Sequence, residues 1–452
     1  MVELHTGREQ RLCDGTTRRD FVRAGFLGVL GLSLTDVLRL EAAQAAQLGM
    51  RPANHKNVIL IWLHGGQTQL ETYDMKPEAP AEVRGVYKPI KTNVPGLQIC
   101  ELLPRMAKVM DKITIHRGLH HTDNDHYSAS HWLLTGYLGP NGADQRPRFP
   151  SMGSVAARAL GARKPDVPPY VIMNDGGFGY HGATYLGAQY HPIRTGDESY
   201  GNEGMQLPVA KTNDLKPLPG VEGQRVLRRQ SLLKDMDRFR RAVDQAAQER
   251  QLDEIQQKAL GMIASGKAHQ AFDLSQEDAK TRELYGPGWG ENALLARRLV
   301  EAGTRFVVCN TGYWDDHGNI KGAMDSKLPR HDRMVAALVE DLHQRGMLDD
   351  TLVVAAGEFG RTSTINKDAG RDHWAQASCV LFAGGGFRHG QVLGATDAKA
   401  EYPKENPITP ADLQSTIYHH LGISRELTFE DQTGRPQYLL PPDQGQVIRE
   451  FA

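Results

Sequence analysis

The stretch Asn57-Val58-Ile59-Leu60-Ile61-Trp62-Leu63-His64-Gly65-Gly66 carries an unbroken apolar run from Val58 to Leu63, followed at once by an imidazole and two glycines. A half-solvated strand would alternate apolar with polar side chains. A continuous apolar run of this length instead predicts a central parallel strand covered on both faces. Similar runs recur at Ile113–His116, Tyr170–Met173, Arg305–Cys309, Thr351–Ala356 and Ser378–Phe382. Helical patterns lie between them. Asn292–Ala302 stops at Gly303, and Pro329–Arg345 places Met334, Leu338 and Leu342 at four-residue spacing before Gly346. Thr409-Pro410-Ala411-Asp412 supplies an N-cap, a proline at the first helical position and an acid in the first turn of a helix that runs to Gly422. Strands alternating with helices in this way predict a doubly wound, mostly parallel α/β sheet.

The rest of the 452-residue chain is consistent with one large α/β domain. With 53 basic against 54 acidic side chains and 40% apolar residues it has no global basic field, which excludes general nucleic-acid binding as a partner class. At the N-terminus, Thr17-Arg18-Arg19-Asp20-Phe21-Val22 precedes an apolar run from Ala24 to Leu38, and Ala43-Gln44-Ala45 offers a cleavage site. These residues read as a twin-arginine signal peptide over 1–45, recognised by the twin-arginine export machinery. Removing it takes away as many basic as acidic side chains, so the balance survives. The expectation is a periplasmic or extracellular protein, with residues 46–452 forming a single domain and no integral membrane segment after cleavage. Within that domain, residues 175–285 read as an inserted loop and helical segment: 175–222 is rich in Gly, Tyr and Pro, and 225–265 is polar and helical in pattern. Of the four cysteines, Cys309 and Cys379 sit in apolar strand runs and read as buried thiols.

Open α/β sheets gather their chemistry at the carboxyl ends of strands. Those ends carry His64-Gly65-Gly66, then Trp314-Asp315-Asp316-His317-Gly318, then Gly357-Glu358-Phe359-Gly360-Arg361-Thr362. Gly370-Arg371-Asp372-His373-Trp374 precedes the last strand. Each imidazole has a structural role open to it, such as capping a helix or bonding a carbonyl. The convergence of His64, Asp315, His317, Glu358 and His373 on one edge is what marks them as candidate metal ligands, a mixed His/carboxylate set suited to Zn²⁺, Mn²⁺ or Fe²⁺. Of the 18 histidines, five fall between His116 and His131, and of those His126 is the one expected to face the site, with His121 next. Arg361 and Lys367 are candidates to hold an anionic ester.

Together, the first strand with His64-Gly65-Gly66, Leu133-Leu134-Thr135-Gly136, Trp314-Asp315-Asp316-His317-Gly318, Asp350 to Thr362, Gly370 to Trp374 and Thr409 to Ile423 resemble the domain-of-unknown-function 1501 family. That family is exported, sulfatase-like, and part of the alkaline phosphatase superfamily. The resemblance implies a three-layer α/β/α sandwich and a metal site that hydrolyses phosphate or sulfate esters. It also exposes departures. Where the superfamily usually reads Thr-Ala-Asp-His-Gly, this chain has Ala356-Gly357-Glu358-Phe359-Gly360, keeping a carboxylate and replacing a histidine ligand by Phe359. Its first strand ends in His64 where a phosphatase has a metal-binding Asp; Asp74 is the nearby carboxylate that could substitute. In sulfatases a cysteine or serine that matures to formylglycine lies nine residues before the Thr of Leu-Thr-Gly; counted back from Thr135, that position is His126.

A formylglycine mechanism is thereby set aside. What remains is attack by a metal-activated water, a phosphohistidine at His126, or no catalysis. The expectation is an exported divalent-metal-dependent hydrolase of sulfate or phosphate esters, acting on an anionic small-molecule or polysaccharide ester. The alternative is a catalytically inactive sulfatase-like binding or assembly protein of the cell envelope. An α/β-hydrolase esterase is rejected because Gly196-Asp197-Glu198-Ser199-Tyr200-Gly201 misses the Gly-x-Ser-x-Gly spacing. No phosphate-binding glycine loop follows a strand.

Overall fold

The computed structural model describes residues 55–140, 146–164, 166–174, 181–195 and 267–451. The twin-arginine segment, the whole of 225–265 and most of the 175–222 loop lie outside the described residues. The main strands in chain order are β1 (Asn57–Trp62), β2 (Ile113–Leu119), β3 (Tyr170–Met173), β4 (Ile193–Thr195), β5 (Phe306–Asn310) and β6 (Thr351–Ala356). A short hairpin follows, β7 (Gly360–Arg361) with β8 (His373–Trp374), and then β9 (Ser378–Gly384) and β10 (Gln391–Leu393). Eight of them form one sheet in the order β10-β2-β9-β6-β1-β5-β3-β4. The pairings β1 with β5, β1 with β6, β5 with β3, β3 with β4 and β2 with β10 are parallel. Within this sheet, among the described residues, only β9 runs antiparallel, to both β2 and β6.

The sheet is covered on both faces. Ile59 and Ile61 of β1 belong to the apolar cluster formed with α3 (Trp289–Ala302) and α4 (Ile320–Gln344). Val58, Leu60 and Trp62 belong to a second cluster with α1 (His126–Thr135), α2 (Met152–Leu160) and α5 (Pro410–Leu421). Successive strand side chains point to opposite faces, so a strand buried on both sides has no polar position to spare. That is why β1 reads as a continuous apolar run, and its six residues are all buried. The layers are therefore helix, sheet, helix, in a mixed α/β fold around a large, mostly parallel sheet.

Helix ends follow local chemistry where it is strong. Thr409 and Asp412 form the reciprocal capping box of α5, with Pro410 inside the first turn and Gly422 in the left-handed conformation at its end. The helix expected to begin at Pro329 starts nine residues earlier, at Ile320, and contains Pro329 in its interior. Asn319 caps it by accepting from Gly322 N, and the buried residues Met324 and Leu328 anchor the added turns. Tertiary burial overrides the proline signal there. The described residues from His55 onward form one compact unit. Among the described residues, no helix is long and apolar enough to cross a membrane.

Candidate metal centre

Strand register gathers the site. Trp62 of β1 is level with both Asn310 of β5 and Ala356 of β6, so the loops after these three strands leave the sheet side by side. Leu63 N donates to Ala356 O at 2.9 Å, Trp314 N to His64 O at 2.6 Å and Gly65 N to Glu358 Oε1 at 2.8 Å, which laces the loops together. Two glycines make this approach possible. Gly65 and Gly66 have φ of +101° and +79°, and a Cβ on them would lie 2.6 Å from Asp315 N and from Phe359 O respectively. The β2 end contributes His126, the first residue of α1, whose N-cap Asp125 accepts from Tyr127 N and Ser128 N. Because β9 runs backwards, the segment that precedes it arrives at this same edge and delivers His373.

Asp315 is the hub. Its Oδ1 lies 2.9 Å from His373 Nε2, 2.9 Å from His317 Nε2 and 2.6 Å from a terminal guanidinium nitrogen of Arg361. Its Oδ2 lies 3.2 Å from His126 Nε2 and accepts from the Tyr313 hydroxyl at 2.9 Å. Ligand atoms of His126, Asp315 and His373 all fall within 4.8 Å of one another, and His317 Nε2 is 3.0 Å from His373 Nε2.

The far side of each imidazole decides what its Nε2 can do. Nδ1 of His373 faces the carbonyl of Asn124 at 2.7 Å, and a carbonyl only accepts. Nδ1 of His317 faces Asp372 Oδ1 at 2.7 Å, and Nδ1 of His126 faces Glu358 Oε1 at 2.6 Å. These partners assign the proton to Nδ1 in all three rings. In neutral rings three Nε2 lone pairs then converge on a carboxylate, an arrangement of acceptors that holds together only around protons or a cation. Orientation of a ligating ring by an oxygen on its other nitrogen is the usual outer support of metal-binding histidines. Burial alone would lower the His126 pKa, but hydrogen bonds to Asp315 and Glu358 outweigh it and raise it to about 9. Asp315 is held well below the ordinary carboxylate range; burial opposes this, and the hydrogen bonds from His126 and His373 and the charge of Arg361 overcome it. Glu358 is also lowered, its complete burial being offset first by His64 and then by His126. Its Oε2 is buried with no hydrogen-bond partner among the described residues. The donor set of nitrogens and carboxylate oxygens fits a borderline divalent cation.

The expected residues fall into distinct places. His126, Asp315, His317 and His373 meet. Glu358 stands behind His126 and is 4.0 Å from His64 Nδ1, while the His64 ring centroid lies 5.9 Å from that of His126. Arg361 differs most from expectation. It is fully buried, and its guanidinium donates to the carbonyls of Gly65, Gly66, Trp314 and Arg371 as well as to Asp315, which places it inside the loop framework and not on a surface open to an ester. A cation on a strand end cannot be told from an anion anchor by sequence; here the crossing loops it ties together consume it. Lys367 is exposed on the turn between Asn366 and Gly370. Asp74 is away from the centre, paired with Lys76, Arg117 and Thr396. His121 is buried and bonds Glu358 O at 2.5 Å, a support for the loop. Phe359 packs 5.0 Å from the His126 ring and 4.6 Å from the His373 ring, closing one wall with an apolar face. Tyr313 and Asp372 were not singled out from sequence. Asp372 sat beside His373 in a motif read only for its imidazole, and Tyr313 lies two residues before Asp315 with no spacing signal of its own.

The family model described as "Protein of unknown function (DUF1501)" matches residues 55–452. Among solved structures, a lipoteichoic acid synthase from Listeria monocytogenes is similar at 11% identity, covering 88% of this chain and 80% of its own, with TM-score 0.39. A sulfatase from Pseudoalteromonas sp. is similar at 13% identity over 86% and 71%, TM-score 0.38. A phosphonate monoester hydrolase of Agrobacterium radiobacter gives 12% over 88% and 77%, TM-score 0.34. Strand order and register, not overlaps at this level, carry the fold assignment. No curated protein matches the chain.

Proposed function

Because the chain belongs to that family, DUF1501, we propose that it is an exported divalent-metal-dependent hydrolase of sulfate or phosphate esters that works through water and forms no covalent intermediate with a side chain. The observation that carries this reading is the convergence of three Nδ1-anchored imidazoles on one carboxylate. His126, Asp315, His317 and His373 would hold the cation, with His64 and Glu358 behind them. When bound, such a cation supplies Lewis acidity and lowers the pKa of a water toward roughly 7. The chain's own residues do the rest. Glu358, Asp372 and the Asn124 carbonyl fix the ring orientations, Arg361 fixes Asp315, and Phe359 keeps water off one side. Tyr313, whose phenol pKa is raised by burial and by Asp315, stays protonated and donates to Asp315. Lys367, exposed in the adjoining loop, is assigned to drawing in the anionic ester. The place where formylglycine would form in a sulfatase is occupied by His126, which supports water as the nucleophile.

The test is to purify the protein without chelators, measure transition metal by mass spectrometry, and assay aryl sulfate, phosphomonoester and phosphodiester turnover on the same sample. Stoichiometric metal and turnover abolished by chelation are expected. Absence of both, with no recovery on adding Mn²⁺ or Zn²⁺, overturns the reading in favour of a catalytically inactive envelope protein.

A further inference from the structure

A cleft of about 330 Å³ opens beside the centre, lined by residues of the β7–β8 hairpin and its connecting loop. It is walled by Trp374, Asp372, Glu401, Asn366, Ser363 and Thr364, and among the described residues no basic side chain lines it. Asp372 joins the two places, since its Oδ1 holds His317 while the residue also lines the cleft. Trp374 is next to His373 on β8, so the strand that delivers a ligand to the centre delivers an indole to the cleft.

The hydrogen-bond inventory of this cleft is lopsided. Both amide hydrogens of Asn366 are used, on His317 O at 3.0 Å and Asp372 Oδ1 at 3.1 Å. The Ser363 hydroxyl donates to Glu401 Oε1, the Thr362 hydroxyl to Thr364 O at 3.2 Å, and the Trp374 indole to Glu401 O at 2.6 Å. Among the lining side chains only the Thr364 hydroxyl keeps a donor free. Acceptors remain: Oδ2 of Asp372 and Oε2 of Glu401 have no partner among the described residues.

An anionic group needs donors, and a sugar hydroxyl presents donor and acceptor together. A group that only donates and carries positive charge is an ammonium, which also gains from lying over an indole face. We infer that the cleft is a subsite for an ammonium group, so that the ester taken by the adjoining centre carries an amine near its anionic head. The link to an ester rests on the function proposed above; the ammonium site itself does not. The indole is fixed by its bond to Glu401 O and by the edge of Tyr402, whose ring centroid lies 5.6 Å away. That pre-orientation removes part of the ordering cost of binding.

Three probes of one size separate the possibilities: ethanolamine, ethylene glycol and glycolate, at neutral pH, followed by saturation-transfer NMR on the full chain. Ethanolamine alone should receive saturation, with affinity weakened at least tenfold by Trp374→Ala and by Glu401→Gln, and largely kept by Trp374→Phe. Unchanged thermal unfolding of the variants shows that they fold. A stronger signal from ethylene glycol or glycolate, an ethanolamine signal that both variants retain, or no signal from any probe overturns the subsite. The readout needs neither metal nor turnover. Binding in a protein that hydrolyses nothing sinks the hydrolase reading and leaves the subsite, while hydrolysis without ethanolamine binding does the reverse.

Discussion

Replacing Arg361 by methionine separates a framework cation from a substrate anchor. The side chain is fully buried, and three of the carbonyls it serves, those of Gly65, Gly66 and Arg371, have no other donor among the described residues. Trp314 O keeps a second donor in Asp316 N. Each stranded buried acceptor costs about 1–3 kcal/mol. Breaking the buried pair with Asp315 also removes a partner from a carboxylate that is 13% exposed. Because neighbouring terms overlap, the expected loss is about 3–6 kcal/mol, a large part of the roughly 5–15 kcal/mol that holds a typical domain. Methionine fills similar volume, so the cavity contribution is small. The assay is urea unfolding followed by circular dichroism, comparing wild type, Arg361→Met and Arg361→Lys at unchanged slope. Lysine keeps the charge but not the planar fork, and should recover less than half of the loss. A loss below about 1 kcal/mol in Arg361→Met, together with a raised KM in Arg361→Lys, would refute the reasoning and return Arg361 to the substrate.

Other outcomes follow from the same geometry. His373→Ala should lose stoichiometric metal and with it the stabilisation that a cation at a hundred times its Kd confers, about 2.7 kcal/mol, read as the missing Tm shift on adding Zn²⁺; an undiminished shift places the cation elsewhere. Glu71→Gln should destabilise by about 3–5 kcal/mol, because it leaves the fully buried Arg371 without its carboxylate, and equal urea midpoints would contradict this. Gly65→Ala should fail to accumulate as folded protein, since its Cβ meets the backbone of Asp315 at a positive φ; a folded variant with wild-type Tm refutes the close approach. Asp332 accepts from Arg105 N and Met106 N, yet burial raises its carboxyl to about 6. A raised folded pKa gives stability that is complete below the unfolded value near 3.8 and is lost as pH rises to about 6, up to roughly 3 kcal/mol. Asp332→Asn should flatten the stability profile across that window, and an unchanged slope would show that another group sets it.

What could be read from sequence was whatever local chemistry dictates. Val58–Trp62, Tyr170–Met173 and Leu352–Ala356 are continuous apolar runs because burial on both faces disfavours polar side chains, and Thr409 to Asp412 carries the capping signals of a helix start. Asp315, His317 and His373 were visible as ligand-type residues near strand ends. The direction of β9 was not visible, because the run Ser378–Phe382 reads the same in either sense; only its pairing with β2 and β6 sets it. Pro329 misplaced a helix start because burial of Met324 and Leu328 is a tertiary fact. Arg361 and Asp372 exchanged importance for the same reason: one is consumed by carbonyls more than 290 residues away in sequence, and the other orients a ring supplied by a different loop.

The lacing of the centre also bears on the order in which it can form. Gly65 N reaches Glu358 across 293 residues, and Arg361 reaches Gly65 O across 296. Contacts of that separation form only after the loop-closure entropy of most of the chain has been spent. No pair of adjacent segments presents more than a fragment of the ligand set, so a cation cannot seed the sheet as it does a zinc finger. If the proposed cation is bound, its uptake reports completed topology: a refolding time course should show secondary structure first and metal-dependent protection last.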